Sequence, residues 1–94
     1  MHEGAVCTEI IDIVSRAAAA NDIRKVDEII LSVGPYSCLN PGQLNFYFEV
    51  AREGTCMAQA SILVERDEAL TGVSQMYIRE IRGEWKRWAS ALSS

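Results

Sequence analysis

The chain has 94 residues, a formal net charge of −4 and 49% hydrophobic residues. This length allows one domain with a single modest core, and the composition is that of an ordinary folded chain rather than a disordered one. The acidic balance argues against DNA or RNA as the main partner, because binding to phosphates requires a surplus of lysine and arginine.

The first predicted element is a helix that starts directly after Glu3 and stops near Asn21. Cys7 falls on the apolar side of this helix and is therefore better explained as a packed thiol than as a metal ligand. The apolar residues recur with the i, i+4, i+7, i+8, i+11 spacing of one helical face, at Val6, Ile10, Ile13, Val14 and Ala17.

Two strands and a second helix follow. Residues 25–34 alternate with a period of two and are rich in β-branched side chains, which predicts a strand, and residues 59–66 repeat the pattern. Between them, Asn40 is a good N-cap, Pro41 suits the first helical position, and Gln43 stands where a capping-box partner would reach back. The predicted inward face of this helix consists of Leu44, Tyr47, Phe48 and Ala51, with Phe46 and Val50 beside it.

The end of the chain allows two interpretations. Residues 76–82 form a third strand in the first, whereas in the second one long helix carries Trp85 and Trp88 on a single face. Gly83 favours the first interpretation, because glycine costs about 1 kcal/mol inside a helix. It predicts a strand up to this point and a short amphipathic helix from Glu84 onwards. The two tryptophans then form an aromatic stripe that is typical of a core or an oligomer contact.

The predicted elements describe one α+β domain over residues 1–94. Their order is helix, strand, helix, strand, strand, which predicts a small three-stranded sheet packed with two helices, followed by a short C-terminal helix. A polar connection over residues 67–72 joins the last two strands.

The cysteines indicate a reducing compartment. Cys7, Cys38 and Cys56 are odd in number and widely spaced, and the acidic start of the chain does not resemble a secretory signal. We therefore expect a cytoplasmic protein with free thiols and no membrane segment. Without a Cys-x-x-Cys pair, no zinc-ribbon site is expected, and hence no zinc.

The candidate site is the chain start, Met1-His2-Glu3, which contains the only histidine. A terminal amine, an imidazole one peptide bond away and the intervening backbone nitrogens form a compact nitrogen-rich set that suits Ni(II) or Cu(II). The alternative is a solvated histidine with no role, which is the commoner case near a terminus. Imidazole binds metal only when neutral, so binding at this start should weaken in acid.

Several segments together resemble the HypA/HybF family of hydrogenase nickel-incorporation proteins. They are Met1-His2-Glu3, the turn over residues 34–37, the run over residues 40–49 (NPGQLNFYFE), Gly54-Thr55 followed by Ala60, and residues 77–81 (YIREI). Each segment is weak evidence alone, but their order and spacing make the resemblance fairly specific from residue 1 to about residue 84, with one large gap.

The resemblance implies a nickel metallochaperone that is not an enzyme. In that family the initial Met-His-Glu binds nickel, and the matching positions are Met1, His2 and Glu3. It also implies two partners, a nickel-delivery GTPase and the hydrogenase large subunit. The chain departs from the family where two Cys-x-x-Cys pairs of a zinc domain would stand, since it has only residues 67–72 there.

A second class of function stays open. Having lost the zinc domain, the protein could serve as a non-catalytic interaction module or homodimer that works through its tryptophan-bearing tail or an exposed sheet edge. Nickel binding that depends on His2 separates the two classes.

Overall fold

The computed structural model describes residues 2–85. Within them the order is helix, strand, helix, strand, strand, as predicted. The elements are α1 (Glu3–Ala20), β1 (Ile23–Val33), α2 (Pro41–Ala51), β2 (Ser61–Arg66) and β3 (Met76–Trp85). In this part of the chain, neither helix combines the length and apolar character needed to cross a membrane.

The longest strand, β1, lies in the centre of the sheet, between β2 and β3. It runs parallel to β2, from Glu28 opposite Ser61 to Val33 opposite Arg66, and antiparallel to β3. Because α1 packs on β1, α2 packs on β2 and the helices contact each other, both helices cover the same face of the sheet. Residues 67–75 join β2 to β3, a connection slightly longer than the predicted one.

The buried core lies between this sheet face and the two helices. It is formed by apolar side chains from every layer, among them Cys7, Ile10, Val14, Val26, Ile29, Leu31, Leu44, Phe48, Met57 and Ile62. The second face of β1 is buried as well, since Ile30 and Ser32 are each only 1% exposed. There the Ser32 hydroxyl donates to Glu65 Oε1 at 3.1 Å, and Glu65 also pairs with Arg79. Charged side chains therefore cover the face that the helices leave open.

The inward face of α2 differs from the predicted one. Leu44 and Phe48 are fully buried as expected, but Tyr47 and Ala51 are exposed. The cause is Asn45, whose side-chain amide donates to the carbonyl of Ile62 at 2.9 Å and accepts from its N–H at 3.0 Å. This pairing turns Asn45 towards the sheet and rotates Tyr47 away from it. Phe46 and Val50 are exposed too, by 63% and 70%.

The prediction of a helix from Glu84 is wrong for the residues that the structure describes. β3 continues through Gly83 and Glu84 to Trp85. Gly83 lies opposite Val26, where a Cβ atom would overlap the carbonyl oxygen of Lys25. This glycine permits a close approach of two backbones beside a β-bulge, and it does not end the strand. Trp88 and the rest of the predicted C-terminal helix lie outside the described residues.

Candidate metal centre

His2 stands at the N-cap of α1, with extended backbone angles of φ −100° and ψ 114°. Its carbonyl accepts a hydrogen bond from the N–H of Val6 at 3.1 Å, so the backbone of residue 2 is fixed by the first turn of the helix. The His2 side chain makes no capping hydrogen bond and is exposed. The imidazole is thus held at the surface and is open to an ion, whereas Met1 lies outside the described residues.

Two residues border the His2 ring. Tyr47 of α2 lies with its ring centroid 6.5 Å from that of His2, at an interplanar angle of 40°. A Cβ atom added to Gly4 would lie 3.4 Å from the Nδ1 and Cε1 atoms of His2 and 4.0 Å from Cδ1 of Tyr47. Gly4 therefore leaves space between the imidazole, the start of α1 and the side of α2.

Glu3 is tied to the other helix. Its Oε2 atom accepts a hydrogen bond of 3.1 Å from the backbone N–H of Asn40, the N-cap of α2. This hydrogen bond is the main reason why the pKa of the Glu3 carboxyl lies below its usual value. As predicted, Asn40 caps α2, since its side-chain oxygen accepts from the N–H of Gln43 at 3.0 Å. The predicted return contact from Gln43 is replaced, because Glu3 of α1 binds the Asn40 N–H.

The structure therefore brings two of the three predicted ligands to one end of the molecule. His2 and Glu3 lie together where the N-termini of α1 and α2 meet. Within residues 2–85 no group of three or more His, Cys, Asp or Glu side chains is placed to hold a metal ion. A metal bound here would need backbone nitrogens and the terminal amine besides these two side chains, a mixed nitrogen and oxygen set that suits Ni(II) or Cu(II).

The three cysteines differ in burial, and none of them is among the predicted ligands of this site. Cys7 is buried in α1, as predicted, and burial raises the pKa of its thiol. Cys38 is exposed and Cys56 is partly buried, and all three are free thiols. A buried thiol with a raised pKa is a poor metal ligand, which supports a core role for Cys7.

Sequence reasoning missed two residues at the chain start. Asn40 was identified as a helix cap, but its contact with Glu3 joins residues that are 37 positions apart and leaves no local pattern. Tyr47 was assigned to the inward face of α2. Its position between a buried leucine and a buried phenylalanine gave no signal that it faces His2.

Comparisons with known proteins identify relatives of this chain. The family model described as hydrogenase/urease nickel incorporation, metallochaperone matches residues 1–74. The hydrogenase maturation factor HypA of Legionella pneumophila (strain Lens) is 34% identical over 80 residues, which cover 83% of this chain and 71% of that protein. HypA of Actinobacillus succinogenes is 39% identical over 62 residues, 66% of this chain and 55% of that protein. HybF of Escherichia coli (strain K12) is 33% identical over 55 residues, 58% of this chain and 49% of that protein.

The fold has a solved counterpart. The solution structure of the Ni metallochaperone HypA from Helicobacter pylori matches with a TM-score of 0.75 and 16% sequence identity, over 90% of this chain and 99% of that chain. This likeness concerns the fold alone. The chain spans only about half the length of two of these three relatives, 55% and 49%.

Proposed function

The chain belongs to the HypA family of hydrogenase and urease nickel-incorporation metallochaperones, and on this premise we propose that it binds Ni(II) through Met1, His2 and Glu3. The ion is cargo that the protein passes to a maturing nickel enzyme such as a hydrogenase. The family role is that of a metallochaperone and not of a catalyst.

The observation that carries the proposal is the exposed imidazole of His2 at the start of α1, beside the Glu3 carboxylate. The side chain of His2, the N-cap residue, does not cap α1 and therefore remains able to bind an ion. The amine of Met1, the backbone nitrogen of His2 and its imidazole are consecutive along the chain, so they can chelate one ion in small rings when the ion displaces the amide proton to solvent. The Glu3 carboxylate adds an oxygen ligand or a nearby negative charge.

Nickel titration of the chain beginning at Met1, without a tag, tests the proposal. We expect one ion per chain, and at least a tenfold loss of affinity in His2→Ala, because the protein has no other imidazole. A form with extra residues fused before Met1 should lose affinity as well, since it removes the amine. Gln59→Ala is the control, because Gln59 is exposed and lies outside both helices. Equal binding by wild type and His2→Ala, or binding by neither, would refute the assignment.

The partners are part of the same proposal. We propose that the recipients are a nickel-delivery GTPase and the hydrogenase large subunit, in the cytoplasm. In a cell that lacks its own family member, the wild-type chain should restore nickel-dependent hydrogenase activity, and His2→Ala should not. Equal restoration by both would separate the maturation role from nickel binding at the chain start.

A second candidate function rests on the exposed apolar residues of α2 and β3. Phe46 and Val50 are more than half exposed, and Trp85 is 49% exposed. These side chains favour a non-catalytic interaction module or a homodimer without nickel delivery. Light scattering of wild type and a Phe46→Ser/Val50→Ser variant tests this function. It predicts a dimer that becomes a monomer in the variant, and no loss of nickel binding in His2→Ala.

A further inference from the structure

The segment from Asn40 to Tyr47 contacts the chain start at two points. The backbone N–H of Asn40 donates to Oε2 of Glu3 at 3.1 Å, and the ring of Tyr47 lies 6.5 Å from that of His2. These contacts involve different atoms of different residues. Both, however, come from the N-cap and first two turns of α2, and both act on the N-cap and first residue of α1. The side chains of His2 and Glu3 are therefore in contact with α2 or its N-cap residue as well as with α1.

We infer that the N-terminal half of α2 is a platform that positions the nickel ligands, with Asn40 and Tyr47 as positioning residues that act through Glu3 and His2. This inference rests on the proposed nickel function and extends it to a second helix. Asn40 acts through its backbone N–H, which fixes one carboxylate oxygen of Glu3 and leaves the other able to face an ion. Tyr47 acts through its ring, which limits the orientations of the exposed imidazole.

Contacts with α2 should strengthen nickel binding because they reduce the conformational entropy that the ligand side chains lose on binding. A chain start with a free imidazole and carboxylate must lose side-chain conformations when it chelates an ion, and contacts made beforehand reduce that loss. Ligands of metal ions are commonly held by such outer hydrogen bonds, and removing one typically lowers metal affinity about 10- to 100-fold. An aromatic contact at 6.5 Å between centroids lies within the usual range for ring pairs.

The fixation of α2 itself makes the platform rigid. Leu44 and Phe48 are fully buried, and Asn45 is bonded to both backbone groups of Ile62 in β2. The helix that contacts His2 and Glu3 is thus anchored to the sheet by other side chains. Contacts from a mobile surface segment would not reduce the ordering cost in this way.

The first test removes the Asn40 N–H. In Asn40→Pro the N–H is lost, and the native φ of −96° is close to the range that proline allows. Asn40→Ala is the matched control, because it also loses the capping side chain but keeps the N–H. We expect about a tenfold weaker nickel affinity in Asn40→Pro, and an affinity within about twofold of wild type in Asn40→Ala. The two variants should have similar circular dichroism and melting temperatures.

The second test concerns Tyr47 and does not depend on how Asn40→Pro folds. Tyr47→Ala should weaken nickel binding about 2- to 10-fold, and Tyr47→Phe, which keeps the ring, should restore it. The visible absorption and circular dichroism of bound nickel should be the same in every variant at saturation, because positioning residues leave the donor atoms unchanged. A changed spectrum would show that the substituted residue is itself a ligand and would overturn the inference.

The two proposals fail in different ways. If the wild-type chain binds no nickel, or binds it independently of His2, the proposed function fails. If the wild type binds through His2 but Asn40→Pro and Tyr47→Ala keep its full affinity, nickel binding stands and the platform is refuted.

Discussion

Substituting Asn45 by alanine tests whether α2 is anchored to the sheet through one side chain. Asn45 is bonded to both backbone groups of Ile62, at 2.9 Å and 3.0 Å, and its Nδ2 also donates to the carbonyl of Pro41 at 3.1 Å. Because Ile62 lies in an edge strand, these bonds occupy outward-facing backbone groups that a second chain could otherwise pair with. Alanine removes all of them at once.

The expected cost can be worked out from those contacts. The two hydrogen bonds to Ile62 contribute about 1 kcal/mol each. The N–H and C=O groups left behind are only partly buried, so incomplete rehydration adds no more than about 1 kcal/mol. The higher helix propensity of alanine returns about 0.5 kcal/mol. We therefore expect a fall of about 2 kcal/mol in the free energy of unfolding, and of roughly 8–16 °C in melting temperature for a chain of this size.

Urea and thermal unfolding followed by circular dichroism measure this cost. Gln43→Ala serves as the control, because it changes an exposed amide on the same helix to the same residue, and it should alter the free energy of unfolding by less than about 0.5 kcal/mol. If Asn45→Ala costs no more than Gln43→Ala, the Asn45 amide does not anchor α2. The rotation of α2 that exposes Tyr47 would then need another explanation.

Three further predictions follow from single contacts. Gly83→Ala should lower the free energy of unfolding by about 1–3 kcal/mol in urea titrations, because its Cβ would overlap a carbonyl of β1, whereas Gly4→Ala, with only ordinary contacts, should not. The pKa of the Glu3 carboxyl is lower in the folded state than in the unfolded state. The carboxylate therefore stabilises the fold fully above its unfolded pKa, and this stabilisation is lost as the pH falls through its folded pKa. The difference in melting temperature between wild type and Glu3→Gln should accordingly shrink below about pH 4. A thiol reagent should modify exposed Cys38 rapidly in the native protein and buried Cys7 only on unfolding. Mass spectrometry of the labelled peptides gives the order of modification, and the reverse order would contradict the burial of Cys7.

Local patterns predicted those parts of the fold that depend on local physics. The apolar spacing of α1 indicated a helix over the observed residues, and the Asn40-Pro41 pair marked the start of α2 to the residue. Both signals arise within a few positions of the element that they define. The fold class followed because the alternation of helices and strands restricts how these layers can pack.

Long-range contacts explain what the patterns missed. The face that α2 buries is decided by the Asn45–Ile62 pairing, which spans 17 positions and turns a polar residue inwards. Glycine commonly marks the end of a strand, but the role of Gly83 depends on the neighbouring strand, where it lies opposite Val26. Hydrophobic periodicity predicts that an asparagine side chain faces solvent and that a glycine ends a strand. It contains no information about contacts with another helix or strand.

The Glu3–Asn40 contact also resolves an electrostatic difficulty at the candidate metal site. The N-terminus of a helix carries about half a positive charge, which disfavours a cation, and here the starts of α1 and α2 meet. Together they place about one positive charge beside the chain start, and the single negative charge of Glu3, bonded to the start of α2, offsets it. The effect is modest at an exposed site and weakens with salt. The carboxylate of Glu3 therefore has a role that does not require direct coordination. Only an anion both accepts the Asn40 N–H and offsets the field of the two helices at the proposed cation site.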